Sequence, residues 1–118
     1  MDFNRSIYTV SKNRDELVSV YMPTHNRKFL AKRAVESVLN QSYKNIELIV
    51  VDDYSTDGTY ELLSEVEDER LFVLRNDKPM GACYSRNKAI SFATGKFITG
   101  LDDDDFFDSN RIKVFIDN

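Results

Sequence analysis

One cysteine, one histidine and no tryptophan occur among the 118 residues. A single thiol, Cys83, cannot close an internal disulfide; that excludes a disulfide-stapled fold, fits a reducing compartment, and leaves Cys83 to be read as a small packed residue. The lone His25 has no second ligand near it in sequence, so a histidine-based metal site is not expected and a hydrogen-bonding loop role is. No apolar run approaches the ~20 residues that span a bilayer, and Met1 to Arg5 lacks the apolar stretch of a secretory signal. A basic excess is missing too. Lys plus Arg number 16 against 20 Asp plus Glu, giving a formal charge of −4, so nucleic acid is not an expected partner. There is no internal repeat and no low-complexity tract. What remains is 42% hydrophobic and 31% charged, the balance of one soluble globular domain, expected in the cytoplasm.

Two periodicities alternate along that domain. Residues 1–16 are mixed and polar and read as an arm, with the domain running over 17–118. Val18, Val20 and Met22 alternate with Ser19 and Tyr21 as a strand that Pro23 is expected to end. Leu30, Ala34 and Val38, with Ala31, Val35 and Leu39, recur at helical spacing. Ile46 to Val51 is almost wholly apolar, as a strand buried on both faces would be. Thr59 to Val66 reads as a short helix and Leu71 to Leu74 as a strand. Ala82 to Ala93 reads as a helix closed by Gly95 in the left-handed conformation. Lys96 to Leu101 is a further strand, and Asp108 or Ser109 can cap a last helix carrying Ile112, Phe115 and Ile116. This alternation predicts an α/β fold with a mainly parallel sheet flanked by helices. Ligands of such sheets sit at the carboxyl ends of the strands. The rule selects Pro23 to Asn26, Asp52 to Ser55, and Asp102 to Asp105.

Four adjacent carboxylates at a strand end are costly without a cation, since two unit charges ~5 Å apart repel by roughly 1 kcal/mol in water and about 3 kcal/mol at an effective dielectric of 20. Carboxylate oxygens suit Mg²⁺, Mn²⁺ or Ca²⁺ rather than zinc. In extended chain Asp102 and Asp104 would project to the same side and could share such an ion, leaving positions open for phosphate oxygens. The alternative is a solvated acidic loop. Asp52 and Asp53 end the most buried strand; they can accept hydrogen bonds from a ligand or serve the turn Asp52 to Gly58, and both readings stand. Gly81 and Arg86 lie at the start and on one turn of the third helix, where the Arg86 guanidinium could pair with a diphosphate.

Together these segments resemble the family-2 glycosyltransferases with the Rossmann-like GT-A nucleotide-binding fold, in order from Val18 to about Arg111. Val18 to Arg27 looks like that family's opening strand and first ligand loop, where Tyr is commoner than His25. Ser37 to Tyr43 is similar to the end of its first helix. Glu47 to Thr59 resembles its second strand and turn, with Tyr54 where Gly is frequent. Gly81 with Ser85 to Ala89 matches its third-helix signature, and Gly95 to Asp105 resembles the strand leading into its Asp-X-Asp motif. The resemblance implies metal-dependent transfer of a sugar, with inversion, from a nucleotide-diphosphate sugar (a UDP-sugar above all) to a glycan, lipid-linked or other acceptor in polysaccharide biosynthesis. By the same resemblance Asp53 would recognise the base, often uracil, and the backbone of Pro23–Asn26, with Pro23, Thr24 and Asn26 as binding residues, would line the nucleoside pocket. Gly81 and Arg86 would also serve the donor. Asp104 would be the principal ligand of Mn²⁺ or Mg²⁺, with Asp102 at the ribose or the metal and Asp103 at the variable position.

A general base is not assignable here; by the resemblance it is expected beyond Asn118. The chain is therefore expected to be the donor-binding part of a longer protein, working in the cytoplasm or at the inner face of the membrane and able to self-associate through apolar surface near its last helix. A non-catalytic nucleotide-binding module or partner subunit is the alternative. A two-component receiver fits less well, because the acidic pair follows the second strand rather than the first. A nucleotidyltransferase would want a glycine-rich loop where Thr24 to Arg27 has none.

Overall fold

The computed structural model describes residues 16–104 and 111–113. The expected arm over 1–16 lies outside them except for Glu16, and so do Asp105, the capping candidates Asp108 and Ser109, and Phe115 and Ile116 of the last helix. Residues 111–113 are helical and Ile112 is buried.

Four strands, β1 (Val18–Thr24), β2 (Ile46–Asp52), β3 (Leu71–Arg75) and β4 (Phe97–Gly100), form one sheet in the order β3-β2-β1-β4. Every neighbouring pair is parallel. Helices α1 (Lys28–Leu39), α2 (Thr59–Ser64) and α3 (Ala82–Phe92) make the crossovers. This is the parallel α/β sheet that the alternating periodicities predict.

The burial explains the two apolar patterns. Val18, Val20 and Met22 of β1 and Ile46, Leu48 and Val50 of β2 pack on one face against Ala31, Ala34, Val35, Val38 and Leu39 of α1. Ile49 and Val51 turn to the other face, against Ala89 of α3 with Tyr21 and Leu74 at the margin. A strand covered on both sides has no polar face to show, hence the apolar run Leu48 to Val51 of β2.

Several element ends differ from the sequence reading. Pro23 does not end β1, which runs to Thr24. The Tyr21 carbonyl accepts from Leu101 on the β4 side, and the Thr24 carbonyl accepts from Asp53 on the β2 side. The Pro23 nitrogen therefore faces β4, where the ladder stops at Gly100, and its missing N–H costs nothing. Helix α2 stops at Ser64 rather than Val66. Helix α3 ends at Ala93 in extended conformation, and Gly95 is not among the positive-φ glycines. Gly95 is needed for a different reason. A Cβ there would stand 2.5 Å from Ser19 Oγ and 2.8 Å from both the Leu17 carbonyl and the Ser19 nitrogen. Cys83 is exposed rather than packed, because α3 buries only Ser85 and Ala89, four residues apart on one side.

The close approach at Gly95 belongs to a polar knot. Glu47, buried on β2, accepts from the Ser19 hydroxyl, from the Thr94 N–H at 2.6 Å and from the Thr94 hydroxyl, while the Gly95 N–H donates to Ser19 Oγ at 2.8 Å. Burial pushes the Glu47 carboxyl up, but those donors outweigh it and hold it below the usual carboxylate range. Gly95→Ala should therefore force backbone to move and break the knot. A loss of about 2–3 kcal/mol in urea unfolding is expected; a loss under about 0.5 kcal/mol would show that the approach is not tight.

Candidate functional site

Because all four strands run the same way, their carboxyl ends gather at one edge. The register sets Thr24 beside Asp52, Asp52 beside Arg75, and Tyr21 beside Gly100. The three segments chosen by the strand-end rule meet there. A cavity of about 400 Å³ is lined by Pro23, Thr24, His25 and Arg27 from β1 and its loop, Asp53 after β2, Ala82 and Ser85 of α3, and Asp102, Asp103 and Asp104 after β4. A second cavity of about 320 Å³ adjoins it, sharing Pro23 and Asp102 and adding Tyr21, Arg86, Gly100, Leu101 and Arg111.

The two readings of the Asp52–Asp53 pair divide between its members. Asp52 is fully buried and serves the turn, accepting from the Ser55 N–H at 3.0 Å and from the Ser55 hydroxyl, with Arg75 Nε at 3.6 Å. Asp53 faces the cavity. Its Oδ1 accepts from Met80 N–H at 2.7 Å and Asn76 Nδ2 at 2.8 Å, and its Oδ2 accepts from Gly81 N–H at 2.9 Å. Burial raises the Asp53 pKa, but the Met80, Asn76 and Gly81 donors and the nearby His25 outweigh it and hold the carboxyl below its ordinary value.

Tyr54 occupies a position of φ +58 where glycine would be unstrained. The Arg75 guanidinium lies 4.9 Å from the Tyr54 ring centre and 5.4 Å from that of Tyr60, and donates to the Ser55 carbonyl at 3.0 Å. Tyr54 and Arg75 line a separate groove with Ser55, Thr56, Gly58 and Glu61.

Asn26 does not line the cavity. At φ +51 it clamps the first loop to the turn after β2: its N–H donates to Ser55 Oγ and its Oδ1 accepts from the Thr56 N–H, both at 2.8 Å. Gly81 does not line it either; at φ +93 it opens α3 and offers its N–H to Asp53. Arg86 lies in the adjoining cavity beside Asp102 rather than with Asp53 and Asp104. His25 is the loop hydrogen-bonder expected of it, with Nδ1 2.7 Å from the Asp53 carbonyl.

The extended geometry assumed for Asp102 and Asp104 does not hold, since β4 stops at Gly100 and the chain turns at residues 103–104. Asp103 is the inward member, accepting from Thr24 Oγ1 at 2.8 Å with Arg27 Nε at 3.8 Å. Asp102 and Asp104 remain exposed, and Arg27 Nη1 stands 3.3 Å from Asp104 Oδ2. Among the described residues no three His, Cys, Asp or Glu side chains gather as a metal cage. Two exposed carboxylates offer hard oxygens, which are of the kind that Mg²⁺ or Mn²⁺ takes together with phosphate and water and not a set for a structural zinc.

Asn76 contacts Asp53 from outside every matched motif, while Lys88 and Arg27 lie within matched motifs that gave them no role. The strand-end rule applied to β3 would have found Asn76, the residue directly after Arg75.

The sequence profile described as Glycosyl transferase family 2 matches residues 19–118. The putative colanic acid biosynthesis glycosyl transferase WcaA of Escherichia coli K12 is 48% identical over 102 residues, covering 85% of this chain and 37% of that protein. The UDP-Glc:alpha-D-GlcNAc-diphosphoundecaprenol beta-1,3-glucosyltransferase WfaP of E. coli is 40% identical over 97 residues, covering 82% and 39%. Among solved structures, S. aureus TarS residues 1–349 in complex with UDP aligns with a TM-score of 0.78 at 28% identity, over 83% of this chain and 30% of that one. The mannosyltransferase PcManGT from Pyrobaculum calidifontis, in complex with GDP-Man and Mn²⁺, aligns at 0.71 and 28% identity, over 76% and 28%. The chain spans well under half the length of these relatives.

Proposed function

The chain belongs to glycosyl transferase family 2, and from that premise we propose that it is the donor-binding part of an inverting, metal-dependent glycosyltransferase that uses a UDP-sugar. The observation that carries the reading is the convergence of Asp53 with Asp102, Asp103 and Asp104 on one cavity at the strand ends. In this reading the Asp53 carboxylate, held ionised by its donors, accepts the base N–H. Pro23 and Thr24 line the nucleoside, with Asp102 at the ribose or the metal. Asp104 and Asp102 are the ligands of Mn²⁺ or Mg²⁺, and Arg86 and Arg27 supply positive charge for the diphosphate. A bound ion supplies Lewis-acid stabilisation of the departing nucleoside diphosphate. Asp103, tied to Thr24, joins the loop after β4 to β1 and fixes the distance between base and metal subsites. Gly81 and Asn26 act behind the cavity, one anchoring Asp53 and one clamping the loops.

The names of the relatives support the class of chemistry: one concerns colanic acid, another a glucose transfer onto a diphosphoundecaprenol-linked sugar. We extend this to a lipid-linked or glycan acceptor met at the inner face of the membrane; none of the described helices is long and apolar enough to cross it. Self-association through apolar surface near the last helix is carried forward in the same way, that helix lying outside the described residues except for 111–113; a monomer by light scattering at high concentration would remove it.

The decisive assay supplies a protein carrying this domain with UDP-sugars, Mn²⁺ and a lipid-diphosphate-linked sugar acceptor, and follows UDP release. Acceptor-dependent release giving an inverted linkage is expected. A protein that binds UDP tightly but never transfers would favour the non-catalytic module instead.

A further inference from the structure

Behind Asp53 lies a buried polar chain that runs through Asn76 to Ser85 and Lys88. Asn76 is 2% exposed. Its Nδ2 donates to Asp53 Oδ1 at 2.8 Å and to Ser85 Oγ at 2.9 Å, and its Oδ1 lies 3.2 Å from Lys88 Nζ. An amide can flip, but here a flip would turn Oδ1 on the Asp53 carboxylate and the NH₂ group on the Lys88 ammonium. Lys88 therefore fixes which way round Asn76 sits.

A carboxylate has about four acceptor directions, two on each oxygen. On Asp53, Oδ1 has both filled, by Asn76 and Met80, and Oδ2 has one filled, by Gly81. One direction, on Oδ2, is left for a ligand. Uracil offers a single ring N–H on its pairing edge. Guanine offers a ring N–H and an amino N–H side by side, which match a carboxylate only when both oxygens can accept.

We propose that Asn76, oriented by Lys88, is a specificity-determining positioning residue that limits Asp53 to one outward acceptor and so selects a uracil-type base over guanine. This rests on the reading of the cavity as a nucleotide site. It also gives a physical reason for the uridine choice, which the resemblance implied without one. Asn76 itself need not touch the base.

The test is calorimetric titration of the chain with UDP and with GDP, each with Mn²⁺, for the wild type, Asn76→Ala and Lys88→Met, with thermal unfolding recorded for each. The wild type should favour UDP by roughly thirtyfold or more, as expected when a site leaves a ligand donor unpaired. Asn76→Ala frees an acceptor direction on Asp53 Oδ1, so GDP should tighten about tenfold, the gain of a hydrogen bond to a charged group, while UDP, served by Oδ2 alone, changes little, and the preference collapses. Lys88→Met, which keeps the aliphatic stem of a half-buried residue, should move the preference the same way by a smaller factor. It carries the test should Asn76→Ala fail to fold. Equal weakening of UDP and GDP would mean a merely structural role and overturn the proposal, as would an unchanged preference in Lys88→Met when Asn76→Ala cannot be read. A wild type that binds neither nucleotide overturns the nucleotide reading and this inference with it.

Discussion

Asp53→Ala should abolish measurable UDP binding and cost the fold about 2–4 kcal/mol, because it orphans three donors at once. The Asn76 amide, buried just beyond β3, loses its charged acceptor and keeps only Ser85 Oγ on that side. The N–H groups of Met80 and Gly81 lose the carboxylate that holds the loop between β3 and α3. Asp53→Asn separates the two effects. Its single carbonyl oxygen can still accept from Asn76 and Met80, but its NH₂ group meets the Gly81 N–H and the incoming base N–H. That variant should fold with a smaller loss and bind UDP at least about thirtyfold more weakly. The pH dependence has a definite sign. The folded-state pKa of Asp53 is depressed below 3.8, so its contribution is fully present above the unfolded value and is lost as pH falls through the folded one. Wild-type stability should therefore drop below about pH 4 with a steeper slope than that of Asp53→Asn. Urea unfolding across pH 2.5–7 and calorimetry at pH 7 measure both halves. Wild-type UDP affinity in Asp53→Asn would remove Asp53 from the base subsite.

The parallel sheet was legible because burial on both faces leaves an unmistakable mark on β2, and because α1 repeats its small apolar residues at helical spacing. The site was legible in outline for a similar reason. Parallel strands bring their carboxyl ends to one edge, so acidic residues after β2 and β4 had to meet. What the pattern could not show is which member of each acidic pair or triplet turns inward. That depends on partners distant in sequence: Ser55 and Arg75 claim Asp52, the loop of Met80 and Gly81 claims Asp53, and Thr24 claims Asp103.

Gly95 was misread, and Asn26 has a part that its position did not announce, because each residue type has two uses. A glycine after a helix is read as a left-handed cap, yet this one is required by the backbone of β1 passing close by. An asparagine in a ligand loop is read as a ligand contact, and this one also clamps the neighbouring turn through both its backbone and its side chain. Tyr54 is the converse case. Glycine is the unstrained residue at positive φ, and only the Arg75 stack, itself a product of β3 lying beside β2, shows how a tyrosine is held there.

Removing the divalent ion, or changing Asp104 to Ala, should weaken UDP binding by about a hundredfold. Three consecutive carboxylates line the cavity that the diphosphate must approach, and each like-charge pair near 4 Å is worth about 1 kcal/mol in water and about 4 kcal/mol at an effective dielectric of 20. Arg27 answers part of that charge, but it is shared between Asp103 and Asp104 at 3.8 and 3.3 Å and is itself partly exposed, so solvent screens what it supplies. Asp104 would hold the dication, whose charge would reverse the sign of that interaction. Asp103→Ala provides the contrast. Its carboxylate is already engaged by Thr24, so its loss should loosen the tie between β1 and the loop after β4, lowering stability by about 1 kcal/mol, and should leave the response to Mn²⁺ intact. Calorimetric titration of UDP with Mn²⁺, then with EDTA in its place, for the wild type and both variants reads all of this. Equal UDP affinity with and without the ion would end the metal role, and an Asp103→Ala variant that loses its Mn²⁺ response as Asp104→Ala does would show that the wrong carboxylate had been assigned to the ion.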